Sequence, residues 1–101
     1  MEIRETPRFS RIVKKYLSEN EYTELRITLI ANPALGVIIP GTGGIRKLRW
    51  KAAGRGKRGG YRVIYYWQTE AERIWLLTIF SKSEQENIST KKLQDLLKRI
   101  E

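Results

Sequence analysis

The sequence predicts an α+β domain, β-α-α-β-β-β-α in order, with an antiparallel sheet packed against helices. Three observations carry that prediction. Apolar residues recur at helical spacing before residue 32 and again after residue 90. Between Ile45 and Phe80 the period changes to two, with β-branched and aromatic residues in the runs. A stretch holding two prolines and four glycines, 33–44, separates the two regimes. At 101 residues, 41% hydrophobic and 31% charged, the chain suits one globular domain over 1–101 with a single core.

Taken in order, Glu2–Glu5 forms a short edge strand. Thr6-Pro7 then starts a helix, with Thr6 as N-cap and Pro7 at the first helical position. Phe9, Ile12, Val13 and Tyr16 make its buried stripe. Ser18-Glu19-Asn20-Glu21 is a capping box, flanked by Leu17 and Tyr22 as a hydrophobic staple. It opens a second helix whose stripe is Tyr22, Leu25, Leu29 and Ile30 and which ends at Asn32-Pro33. In the connector, Leu35, Val37, Ile38 and Ile39 are expected to pack down. Ile45–Lys51 is a strand with Lys47, Arg49 and Lys51 on one face and Arg46, Leu48 and Trp50 on the other. Residues 52–60 are a Gly-rich basic connector. Tyr61–Gln68 and the nearly all-apolar Ile74–Phe80 complete a meander, the latter suited to a central strand covered on both faces. Ser89 or Thr90 caps a last helix with the stripe Leu93, Leu96, Leu97, Ile100.

Charge is concentrated in the middle of the chain. Residues 1–44 hold six Lys/Arg and five Asp/Glu, residues 45–62 hold eight and none, and residues 63–101 hold six and six. The net charge of +9 is therefore +1, +8 and 0. A block of Arg46, Lys47, Arg49, Lys51, Arg55, Lys57, Arg58 and Arg62, flanked by strand sequence, is the footprint expected of a polyanion-binding surface. Gly54-Arg55-Gly56-Lys57-Arg58-Gly59 matches the dinucleotide fingerprint in letters only, because a strand rather than a helix follows it. The segment reads instead as a hairpin loop whose cations contact phosphates. Arg62 opens a strand whose alternation would accept an apolar residue. An arginine there calls for an anion or a partner, and Glu70 and Glu72 are the nearest carboxylates in sequence.

Other features narrow the chemistry. Without cysteine there are no disulfides or thiolates, and without histidine the commonest general acid–base group is missing. Glu70/Glu72 and Glu84/Glu86 have no histidine or aspartate beside them, so no metal or cofactor is expected. No apolar run approaches the roughly 18 residues of a membrane span, and the charged N-terminus is unlike a signal peptide. The expected location is the cytoplasm, with no membrane partner. Tyr61, Tyr65, Tyr66, Trp67, Trp75 and Trp50 are read as mainly core, with room for one or two to stack on a base.

The entry GTGG-IRKLR, the hairpin GRGKRGG-YRVIYY and the strand LLTIFSKSE leading to a final helix together resemble the RelE/HigB-type toxins of bacterial toxin–antitoxin systems, the HigB-like branch most of all. The resemblance spans essentially the whole chain. It implies a microbial-RNase-like fold and a messenger-RNA endonuclease that acts in the ribosomal A site. It also implies a cognate antitoxin, encoded in the same operon and often DNA-binding. Residue by residue, it puts Lys47 and Arg49 on the strand that activates the scissile phosphate and Arg62 on the arginine that stabilises the transition state. Lys82 falls where a basic side chain protonates the leaving oxygen. Arg46, Lys51, Arg55, Lys57 and Arg58 are the remaining candidate RNA contacts. Two positions depart from the pattern: Ser83 stands where arginine is frequent, and Asn87-Ile88-Ser89 where some members carry a tyrosine.

The residues fit that chemistry independently. Attack of a 2′-hydroxyl on the adjacent phosphate requires a proton acceptor, charge stabilisation and a proton donor, all of which lysine and arginine can supply without a metal. Lys47 or Lys51 is the candidate acceptor, Arg49 and Arg62 the phosphate clamp, and Lys82 or Lys57 the donor. Two alternatives stay open: a ParE-like toxin that poisons gyrase, and a non-catalytic RNA-binding domain.

Overall fold

The computed structural model describes residues 1–51, 60–82 and 88–100. Two local signals start the chain as read. Thr6 is the N-cap of α1 (Pro7–Tyr16) and accepts the Phe9 N–H at 3.2 Å, with Pro7 behind it. Ser18 and Glu21 close a reciprocal capping box on α2 (Glu19–Ala31): the Glu21 N–H donates to the serine hydroxyl at 3.2 Å and the Ser18 N–H to the Glu21 carboxylate at 2.8 Å. Ser89, rather than Thr90, caps α3 (Thr90–Lys98).

Five strands form one sheet: β1 (Glu2–Glu5), β2 (Val37–Ile38), β3 (Ile45–Trp50), β4 (Tyr61–Gln68) and β5 (Arg73–Ser81), in the order β1-β5-β4-β3-β2. β3, β4 and β5 are the antiparallel meander that the sequence predicts. β1 is an edge strand as expected, but it runs parallel to β5, so the sheet is mixed rather than wholly antiparallel. The reason is topological. The two-helix crossover from β1 returns the chain through β2, β3 and β4 before β5 is laid beside β1. β2, inside the predicted connector, is a second edge strand, pairing Val37 with Lys47 and Ile38 with Arg46.

Helices cover both faces. On one, Phe9, Val13 and Leu17 with Leu25 and Leu29 pack on Leu48, Val63, Tyr65, Ile74, Leu76 and Ile79. On the other, Leu93 and Leu96 of α3 pack on Ile45, Ile64, Leu77 and Phe80. β5 feeds both clusters, as its continuous apolar run predicts. A bulge between Ile64 and Tyr65 leaves Leu77 without a register partner.

Two apolar expectations are corrected. Ile30 is exposed rather than part of the α2 stripe, because Leu25 and Leu29 already fill the contact with the sheet. Leu35, Val37 and Ile38 are exposed as well, Val37 by 73%, and only Ile39 packs, against the α3 cluster. The connector is held by polar bonds instead. The buried Tyr65 hydroxyl accepts the Gly36 N–H at 2.8 Å and donates to Pro33 O at 2.7 Å.

Two phenols are held protonated. Burial raises the Tyr22 pKa, reinforced by the bond its hydroxyl donates to Glu5 and by that carboxylate's charge. Burial also raises Tyr65, against the opposing Gly36 N–H and Arg46 charge. A phenol whose folded-state pKa lies above its unfolded value, about 10, contributes stability below that value and loses it as pH rises. Stability is therefore expected to fall above about pH 10. Of the five tyrosines, two should ionise only together with unfolding, read as phenolate absorbance against circular dichroism. Five tyrosines titrating before any loss of structure would contradict the assignment.

Candidate active site

The strand register assembles the site. Arg49 of β3 stands directly opposite Arg62 of β4, and Phe80 of β5 stands opposite Arg62 on its other side. Lys47 lies two residues before Arg49, paired with Ile64 on one side and Val37 on the other. Because side chains alternate, Lys47, Arg49 and Arg62 share the face that carries Ile45, Ile64 and Phe80, the α3 side. Arg49 is exposed, whereas Arg62 is 93% covered, with 7% of its surface accessible. One guanidinium nitrogen of Arg62 lies 3.4 Å from its neighbour's carbonyl, Tyr61 O. Neither β3 nor β4 contains an acidic residue.

Like charges placed directly opposite each other destabilise a sheet. A shared anion turns that cost into attraction. Glu70 and Glu72, the carboxylates nearest to Arg62 in sequence, are exposed in the turn beyond Gln68. Six residues of strand, about 20 Å, separate Gln68 from Arg62.

The remaining predicted residues divide. Lys51 follows the Trp50–Tyr61 pair and is exposed. Lys82 follows the Tyr61–Ser81 pair, and its N–H donates to Gly60 O at 3.3 Å. Both therefore reach the end of the sheet where Arg49 and Arg62 lie. Arg46 is set apart on the opposite face. Its guanidinium donates to Ala34 O at 3.2 Å and Gly36 O at 2.7 Å and lies 6.0 Å from the Trp67 ring centre, so it anchors the connector. Arg55, Lys57 and Arg58 lie outside the described residues. Of the aromatics, Tyr65 is fully buried, while Trp50, Tyr61 and Trp67 pack under α1 and α2, and Tyr66 and Trp75 on the α3 side.

Gly60, beside the candidate site, is a residue that sequence reasoning does not single out among so many glycines. Its φ is +55°, and a β-carbon there would stand 2.4 Å from Trp50 O. The left-handed backbone alone costs an alanine about 1–2 kcal/mol, and the clash adds to it. Gly60→Ala is expected to lower the unfolding midpoint, because the β-carbon would push β4 away from the end of β3. A midpoint unchanged in a urea titration would refute this.

An α+β sheet that presents an acid-free basic strand pair on one face, backed by a two-helix hairpin on the other, defines the class. The chain belongs to the RelE toxin family: residues 1–100 match the family model described as the RelE toxin of the RelE/RelB toxin–antitoxin system. Among solved structures it is similar to a free, arginine-substituted mutant of the Escherichia coli toxin RelE, with a TM-score of 0.59 and 15% identity over 99% of this chain and 97% of that one. It is also similar to a chain of the intact E. coli RelBE toxin–antitoxin complex, with a TM-score of 0.58 and 15% identity over 79% of this chain and 94% of that one.

Proposed function

We propose that the chain is a toxin that cuts messenger RNA on the ribosome by metal-independent attack of the 2′-hydroxyl. The observation that carries this reading is the Arg49–Arg62 cross-strand pair, on one face with Lys47 and with no carboxylate on either strand. In the step proposed, the 2′-oxygen bonds to phosphorus while the bond to the 5′-oxygen breaks, leaving a 2′,3′-cyclic phosphate and a 5′-hydroxyl. Lys47 or Lys51, acting as the neutral amine, takes the 2′-hydroxyl proton and becomes the ammonium. Arg49 and Arg62 hold the phosphoryl oxygens, whose charge grows in the transition state, where prepositioned donors act most strongly. Lys82 returns a proton to the 5′-oxygen.

An antitoxin is the proposed protein partner, as in the RelBE complex to which the fold is similar. Val37 and Ile38 are exposed and pair directly with Lys47 and Arg46. An apolar segment with acidic residues would cover that edge and reach the basic strand together.

The test is controlled expression in a bacterial host, with primer extension on a translated and an untranslated copy of one messenger. Growth arrest with cuts confined to the translated copy is expected. Arrest with intact messenger, DNA breaks and an SOS response would replace this reading with gyrase poisoning. Neither arrest nor cuts would leave an RNA-binding domain.

A further inference from the structure

We infer that the exposed face of α1 is a second polyanion-binding surface, one that takes the phosphate backbone of double-helical RNA. α1 carries Arg8, Arg11, Lys14 and Lys15 and no acidic residue. Arg11, Lys14 and Lys15 are exposed, while the half-buried Arg8 donates from Nε to Thr78 Oγ1 at 3.0 Å. Arg11 and Lys14 are three residues apart and Arg11 and Lys15 four, which makes them neighbours on one helix face. From Arg8 to Lys15 the row rises about 10 Å.

The nearby carboxylates are otherwise engaged. Glu2 pairs with Arg4 at 2.9 Å and Arg73 at 3.1 Å, the ion pairs found among the described residues. Glu5 accepts from Ser10 and Tyr22, and Glu21 returns to the Ser18 backbone. Glu19 lines the same groove as Lys14 without an ion-pair contact. Three exposed cations on one helix are thus left without an ion-pair partner among the described residues.

What surrounds them selects the ligand. The exposed residues of α1 are Pro7, Ser10, Arg11, Lys14 and Lys15, with no large apolar side chain among them. Among the described residues, the large exposed apolar ones are Met1 and the run Ile27, Ile30, Leu35, Val37 and Ile38. Protein interfaces are depleted in lysine and built around apolar centres, which favours the 27–38 segment for a protein partner and leaves α1 for phosphates. Tyr16 is not an open base-stacking platform: it packs edge-on against Tyr61 at 5.5 Å, and the Lys15 ammonium lies 5.7 Å from its ring centre. Single-strand binding depends on such platforms, whereas a fixed row of cations matches the fixed phosphates of a duplex.

The Tyr16–Tyr61 contact also brings the end of α1 to the start of β4, beside Arg62 but across the sheet from it. A strand lying on the arginine pair cannot also cover α1. The two surfaces can hold a single strand and a duplex at once. The identity of the polyanion as RNA rests on the function proposed above; the surface itself does not.

The test uses purified full-length protein and an RNA duplex of about 16 base pairs, compared with a DNA duplex and a single strand of the same sequence over a salt series. The variants are Arg11→Gln/Lys14→Gln/Lys15→Gln and the corresponding triple Glu substitution, with Lys91→Glu/Lys92→Glu/Lys98→Glu on α3 as a charge-matched control. The expectation is tighter binding of RNA duplex than of DNA duplex. Both α1 variants should lose about tenfold or more of that affinity, with the salt slope reduced by about 2–3, while the control stays within about threefold. Equal losses in control and α1 variants, or unchanged affinity in the latter, overturn the proposal. DNA duplex bound as tightly as RNA overturns the ligand assignment. Intact duplex binding with lost capture of an acidic antitoxin overturns it in favour of a protein surface. Failure of messenger cutting with α1-dependent duplex binding intact counts against the proposed activity and not against this surface.

Discussion

Arg62→Ala is expected to abolish growth arrest and to slow messenger cutting by about 10²–10³-fold, the usual loss when one prepositioned oxyanion donor is removed. The magnitude follows from its placement. Arg62 has 7% of its surface exposed and sits in a row between Arg49 and Phe80, so its guanidinium is held by the sheet rather than by solvent-exposed rotamers. A cation so placed needs little reorganisation when a pentavalent phosphorus forms beside it. Arg49 is exposed on the adjacent strand, and Arg49→Ala should cost less. Arg62→Lys should recover only part of the rate, because an ammonium cannot grip two phosphoryl oxygens in a planar fork. Thermal melting of each variant checks that Arg62→Ala stays folded. Full toxicity in folded Arg62→Ala would sink the catalytic assignment.

The second large effect is expected far from any phosphate. Tyr65→Phe removes the hydroxyl that satisfies Gly36 N–H and Pro33 O and leaves both backbone groups without that partner, at a cost of about 1–3 kcal/mol. Tyr65→Ala, which also empties a fully buried aromatic site, should cost about 3–5 kcal/mol. In a chain of this size each kcal/mol lowers the melting temperature by about 4–8 °C. The tie matters to the site because Gly36 leads into β2, where Val37 pairs with Lys47. Tyr65→Phe is therefore expected to reduce cutting as well as stability, although its side chain lies on the opposite face. An unchanged urea midpoint would show that Gly36 and Pro33 find other partners.

Much of the fold is legible in the residues because the signals are local. Thr6-Pro7 and the Ser18–Glu21 box start helices through bonds that span three residues, and Asn32-Pro33 ends one by steric exclusion. The alternation in β3 separates Lys47 and Arg49 from Leu48 and Trp50 with no knowledge of what lies above either face. Arg46 shows where that reading stops. It belongs to the basic block by composition, yet it bonds Ala34 O and Gly36 O, because a neighbouring segment brings carbonyls within its reach. The basic face of α1 is obscured for a related reason: charge summed over residues 1–44 averages four cations of one helix with the acids of β1 and α2.

The amino-acid sequence by itself determined the helix caps, the strand periods, the acid-free character of β3 and β4 and the face on which Lys47 and Arg49 project. Each depends on spacing along a chain whose geometry repeats. Only the tertiary structure decided that β1 runs parallel to β5, that Ile30, Val37 and Ile38 stay outside the core, and that Arg49 meets Arg62. Those outcomes depend on which distant segments pair and in what register. A shift of one residue would turn every side chain of a strand to the other face, so the arginine pair exists only once the whole sheet has formed.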